Sequence, residues 1–172
     1  MRIWRLLAFS LALAYSAIWA QPIAPLVHEG IVDAPLEKVW DSWTTSEGLR
    51  SWLAPHADID FRIAGTMRAN YSPDGDLGDA QTIENMILSF DPHEMISIQV
   101  SKAPVDFPFP NAIFEMWTVI YFQSIDPART SVRIVANGFS VDEESQAMRA
   151  FFDQGNAITL QQMQERIGVV AQ

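Results

Sequence analysis

Glu84 is the side chain with the most chemistry to offer in this 172-residue chain. It lies in "TIENMILSF" (82–90), and counting back by twos from Phe90 through Leu88 and Met86 puts Glu84 and Thr82 on one strand face. A carboxylate among Met and Leu side chains is raised in pKa by desolvation unless it is paired. Glu84 is therefore a candidate acid, base or ligand anchor. The competing expectation is that it reaches an arginine at the rim or faces outward. The same alternation turns Tyr71 inward with Met67 and Ala69, Thr118 inward with Ile120 and Phe122, and His28 inward with Val32. Tyr71 and His28 are then the partners available to Glu84 for acid–base work.

Other chemistry has less support. His28, His56 and His93 share no local ligand spacing, and a zinc set of His56, Asp58 and Asp60 would ask for three alternate residues that more often form a solvated strand face. "DGDLGDAQTIEN" departs from the calcium-loop template. Gly78 and Asp79 stand where a ligand and then a glycine belong, and Asn85 replaces the terminal glutamate. No metal and no cofactor is expected. The chain has no cysteine, which removes disulfides, thiolate nucleophiles and cysteine-ligated metals. Ser42 and Ser140 lack a nucleophile-elbow context. Asn70-Tyr71-Ser72 matches a glycosylation acceptor.

The elements that must position these groups follow from periodicity. "LVHEGIVDA" reads as a strand, after which Leu36, Val39, Trp40 and Trp43 fall at helical spacing behind Pro35. Leu49, Trp52 and Leu53 repeat that spacing in a second short helix. About six strands follow, and Asp142 to Ile167 makes one long helix with acidic residues at its positive end. On that helix Met148, Phe151, Phe152, Gly155, Ile158, Met163 and Ile167 share a broad arc, with Gly155, Asn156 and Thr159 inside it. A curled antiparallel sheet gripping the long helix buries every apolar face named, an α+β architecture. Trp117 and Tyr121 fall opposite Thr118, outside the grip, and are candidates for a homodimer surface.

The ends and the charge bound the setting. "MRIWRLLAFSLALAYSAIWA" (1–20) has the basic start, apolar run and small final residue of a secretory signal peptide. Residues 21–26 read as a tether and 27–168 as a single domain. A secreted or periplasmic protein is expected, with no stable membrane span once the signal is cleaved. Cleavage after Ala20 leaves nine Lys and Arg against 21 Asp and Glu, a net charge of −12. Such a chain repels phosphate backbones, so nucleic acid is not an expected partner.

"VDAPLEKVWDSWTTSEGLRSWLAP", "DIDFRIAGTMR", "ILSFDPHEMISIQV" and "WTVIYFQSIDPARTSVRIVANGF" resemble the START-like (SRPBCC) superfamily of helix-grip folds over about residues 27 to 168. Within it they are similar to the branch named for homologues of the ATPase activator of the 90-kDa heat-shock chaperone, with polyketide-cyclase-like proteins as neighbours. The resemblance implies a groove between long helix and sheet that holds apolar molecules, lipids or aromatic polyketides. It carries over no catalytic set. It also gives "KAPVDFPFPNAIF" (102–114) a place: three prolines exclude regular pairing, and Phe107 and Phe109 become a lid or plug over one end of the groove. The expected function is binding of a hydrophobic small molecule or lipid by Tyr71, Thr82, Glu84, Phe107, Phe109, Thr118, Gly155, Asn156 and Thr159. A cyclase- or hydratase-like enzyme using Glu84 and an envelope protein-interaction module are the alternatives.

Overall fold

The computed structural model of the protein describes residues 23–168. The expected signal segment (1–20) and the start of the tether lie outside them. Strand β1 (Leu26–Val32) is followed by helices α1 (Leu36–Thr44) and α2 (Ser46–Trp52). Next come β2 (His56–Ile59), β3 (Thr66–Asn70), β4 (Ile83–Asp91), β5 (Met95–Lys102), β6 (Trp117–Asp126) and β7 (Arg129–Asn137), and the long helix α3 (Glu143–Ile167). All seven strands join one antiparallel sheet in the order β1-β7-β6-β5-β4-β3-β2. The sheet curls around α3, with α1 and α2 closing one side. This is the helix-grip α+β fold that the sequence predicts.

Local chemistry sets the helix starts. Pro35 stands at the cap of α1, where its missing N–H costs nothing. Thr45 caps α2 by accepting from Gly48 N at 2.9 Å. Asp142 caps α3 by accepting from Ser145 N at 2.9 Å, and Glu143 and Glu144 follow in the first turn.

Two hydrophobic clusters form the interior. The larger packs α1, α2 and the C-terminal end of α3 on the sheet, around Val39, Leu49, Trp52, Ile87, Ile120, Val132 and Met163. Trp43 and Trp52 meet at 4.9 Å between ring centroids, and the Trp52 indole donates to Ser42 O at 2.9 Å. The smaller cluster gathers Leu26, Ile113, Met116, Ala136, Phe139 and Met148, with Phe107, Phe109 and Phe152 packed against it.

Strand β4 departs from the expected phase. Its pairing with β5 shifts between Ile87 and Ser89, so that Leu88 is an extra residue. One extra residue reverses alternation. Phe90 and Ile87 both face the core, and Asn85 and Ile83 continue the inward face below the bulge, where Glu84 and Met86 point out. Counting back from Phe90 through a bulge is what assigned Glu84 to the wrong side.

Candidate functional site

Helix α3 buries side chains only towards its ends. Met148 is buried near its start, and Leu160, Met163 and Ile167 are buried near its finish; no residue from Arg149 to Thr159 is buried. At the far end Gln164 Nε2 donates to Ile31 O and Arg166 Nη1 to Trp52 O, each at 2.9 Å. The unburied middle borders a cavity of about 150 Å³ at the junction of the two clusters. Its apolar wall includes Leu53, Met67, Ile83, Ile98, Met116, Ile120, Ile134 and Phe152; its polar groups come from Tyr71, Asn85, Gln99, Thr118, Asn156 and Thr159. Among the described residues that border it there is no Asp, Glu, Lys, Arg or His.

The structure brings together Tyr71, Thr118, Asn156 and Thr159 of the residues singled out in the sequence. Tyr71 belongs to the rim. Desolvation of its hydroxyl raises its pKa, although the residue as a whole is 59% exposed. Gly155 does not line the cavity, and a Cβ added there would meet nothing within 4 Å. The expected close approach at this glycine is absent; α3 has room around it. Phe151 and Ile158, 48% and 55% exposed, also leave the predicted inward arc; between them the helix meets β1 through the polar pair His28 and Asp153 rather than through buried apolar side chains.

Three other candidates sit elsewhere. Glu84 faces the outside of the sheet, where Lys102 Nζ lies 3.3 Å from its Oε1. Beside it Arg68 binds Asp58 through two hydrogen bonds, and that hydrogen bonding raises the guanidinium pKa against desolvation. Thr82 is fully buried, but in the acidic turn: its hydroxyl donates toward Asp76 O at 3.1 Å and accepts from Gly78 N at 3.0 Å. His28 does face α3, where its Nε2 lies 3.1 Å from Asp153 Oδ1, and it does not border the cavity. The Glu84, Tyr71 and His28 set is therefore not one site.

The acidic turn is organised by its own carboxylate. Asp79 accepts from Gln81 N (2.8 Å), Asp76 N (3.1 Å) and Asn70 Nδ2 (2.8 Å), which holds its pKa below the usual carboxylate value, the backbone donors contributing most. Asn70 is buried and its amide is consumed there and at Asp76 O, so the glycosylation match is not an available acceptor. Among the described residues no group of three His, Asp or Glu is placed to hold a metal ion.

The proline-rich segment lies across the first half of α3. Phe107 and Phe109 meet at 5.7 Å, and both touch Phe151, at 5.9 and 5.7 Å. Phe151 in turn contacts Phe152, which lines the cavity. A clamp fixes the segment's end: Glu144 accepts from Asn111 N at 2.8 Å, Ala112 N at 3.0 Å and Asn111 Nδ2 at 3.1 Å. Those two backbone donors are the main reason its pKa is lowered.

Sequence reasoning missed Asn85, Gln99 and Trp43 as cavity residues, and Trp117, expected outside the grip, is 40% exposed and borders the cavity as well. The adjacent apolar pair Ile87–Leu88 was the one sign of a bulge, and it would have moved Asn85 inward. Trp43 has helical core spacing, which conceals that it also borders the cavity.

Residues 33–168 match the family of Activator of Hsp90 ATPase homolog 1-like proteins. No curated protein sequence matches the chain. Among solved structures it is similar to the Aha1 dimer of Colwellia psychrerythraea, with 14% identity over 86% of this chain and 98% of that one and a TM-score of 0.65. It is also similar to a protein of Nitrosomonas europaea, with 17% identity, 84% and 94% coverage and a TM-score of 0.61. A third is the di-domain ARO/CYC BexL from the BE-7585A biosynthetic pathway, with 18% identity over 84% of this chain and 46% of that one and a TM-score of 0.64. The match over residues 33–168 and the helix-grip architecture agree: the chain belongs to the Activator of Hsp90 ATPase homolog 1-like family of the START-like superfamily.

Proposed function

We propose that this is an exported domain that binds an apolar or amphipathic small molecule between the sheet and α3, without catalysing its conversion. The observation that carries the reading is the cavity under the unburied middle of α3, with an apolar wall and no charged lining residue. Ligand sites are of this kind: concave, mostly apolar, with few polar groups. The segment carrying Phe107 and Phe109 covers the end of the groove through Phe151 and Phe152. Native mass spectrometry of the chain from Gln21 onward, followed by organic extraction, tests the proposal. A bound apolar compound, lost when Phe107 and Phe109 become alanine, is the expected result. A folded protein that carries nothing and excludes hydrophobic dyes overturns it and favours a protein-interaction module.

A homodimer through the outer sheet face fits the same reading. Cross-strand rows there place Val27, Val135 and Val119 together, with Trp117, Tyr121 and Ile31 exposed around them. The charged pair in these rows, Glu29 and Arg133, lies 4.0 Å apart and cancels, on a chain whose net charge is −10. This neutral apolar area is where two such acidic chains can meet. Sedimentation of Tyr121→Glu against the parent chain separates dimer from monomer.

A further inference from the structure

We propose that the cavity selects a neutral molecule bearing a hydrogen-bond acceptor, of carbonyl or ether type, and that Trp43 and Asn156 are the donors that read it. This rests on the binding reading above and specifies its ligand. Four buried side-chain nitrogens among the described residues have no hydrogen-bond partner: His28 Nδ1, Trp43 Nε1, Arg149 Nε and Asn156 Nδ2. Two of the four belong to residues that line this cavity, and His28 and Arg149 do not border it. Buried donors are nearly always paired, so an orphan at a cavity wall marks a place where something else supplies the acceptor.

Trp43 is the stronger of the two. It is 6% exposed, its ring is held against Trp52 at 4.9 Å and Phe122 at 6.3 Å, and an indole N–H can only donate. Asn156 lines the same cavity from the part of α3 whose residues are not buried. The pair therefore offers unpaired donors from two elements, α1 and α3, to a space whose wall is mostly apolar.

Charge narrows the class further. A carboxylate or ammonium entering this cavity would lose its hydration and find no opposite charge among the lining residues. A pure hydrocarbon would leave both donors unpaired. A neutral molecule with an oxygen acceptor avoids both penalties. A cavity of about 150 Å³ suits a single substituted aromatic ring as its minimal occupant.

Acetophenone and α-methylstyrene test this directly, because they share a shape and differ by an oxygen in place of a methylene. Both are titrated into the folded chain from Gln21 onward, with binding followed by the indole N–H resonances in proton–nitrogen correlation spectra. Acetophenone is expected to bind about tenfold more tightly and to move the Trp43 indole proton downfield. In Asn156→Leu, whose helix position is not buried, the ratio is expected to fall by about threefold, and in Trp43→Phe with Asn156→Leu to approach one. Equal binding of the two probes by the parent chain would overturn the donor assignment and leave the ligand-binding function standing. Binding of neither probe by folded protein would overturn both. If the double variant does not fold, the single Asn156→Leu ratio and the Trp43 indole shift decide the matter.

Discussion

The two parts of α3 differ more than their composition suggests. From Leu160 to Ile167 the helix buries three side chains and donates two hydrogen bonds to the backbones of β1 and α2. From Arg149 to Thr159 it buries none. The first part is structural in the ordinary sense: apolar residues recur at helical spacing and meet a sheet. The second is held by what flanks it and by partly exposed contacts, Asp153 with His28 and Phe151 with Phe107 and Phe109, and its value lies in the space it leaves beside Thr118, Ile120 and Ile98. A helix held at its two ends can span a cavity without filling it, which a uniformly amphipathic helix would do.

The largest expected effect sharpens this contrast. Met163→Ala, in the gripping part, should cost about 2–5 kcal/mol, whereas Ile158→Ala, in the spanning part, should stay within about 0.5 kcal/mol. Chemical denaturation of both variants reads the difference; equal losses would mean that the middle of α3 is packed after all. Next in size is Gly155→Ala. The added methyl meets open space and removes a helix-interior glycine, so stability should rise by about 0.5–1 kcal/mol, seen as a higher Tm. A decrease in Tm would show that the helix approaches something at that point.

The smallest effect is confined to acid and concerns the clamp that holds the proline segment to α3. Folding lowers the Glu144 pKa, so the folded state binds fewer protons than the unfolded chain. The clamp's contribution is complete above the ordinary glutamate value of about 4.3 and is lost as pH falls through the lowered folded value. Glu144→Gln should flatten the acid limb of a Tm-against-pH profile below that point. An unchanged limb would assign acid sensitivity to Asp79, Asp126 and Asp142, whose pKa values are lowered as well.

Periodicity made the order of elements legible, down to Pro35 and Asp142 at helix starts, because apolar spacing and capping are local. The site was legible only where strands ran without interruption. Thr118 sits in an unbroken inward row with Ile120 and Phe122, and it lines the cavity. Glu84 was misplaced by Leu88, one extra residue that neither glycine nor proline announces. On α3 the arc predicted for Phe151 and Ile158 assumed burial along its whole length, and helical spacing cannot distinguish a face packed on the sheet from one that meets it only through polar contacts. The role of Trp43 was hidden for a related reason: a tryptophan can complete a core and also border a cavity.

The pairing of β1 with β7 bears on how the chain reaches this state. Leu26 lies beside Ala136 and Val32 beside Thr130, and the Thr130 hydroxyl donates to Ala34 O at 2.9 Å. The strand that is synthesised first thus waits for the one synthesised last, and α3, which closes over both, comes later still. Contacts this distant in sequence make for slow folding, with loop closure preceding any reward. A nascent or truncated chain ending before Arg129 has an open edge at β1 and no helix to grip, which makes it a substrate for chaperones and proteases rather than a smaller version of the domain.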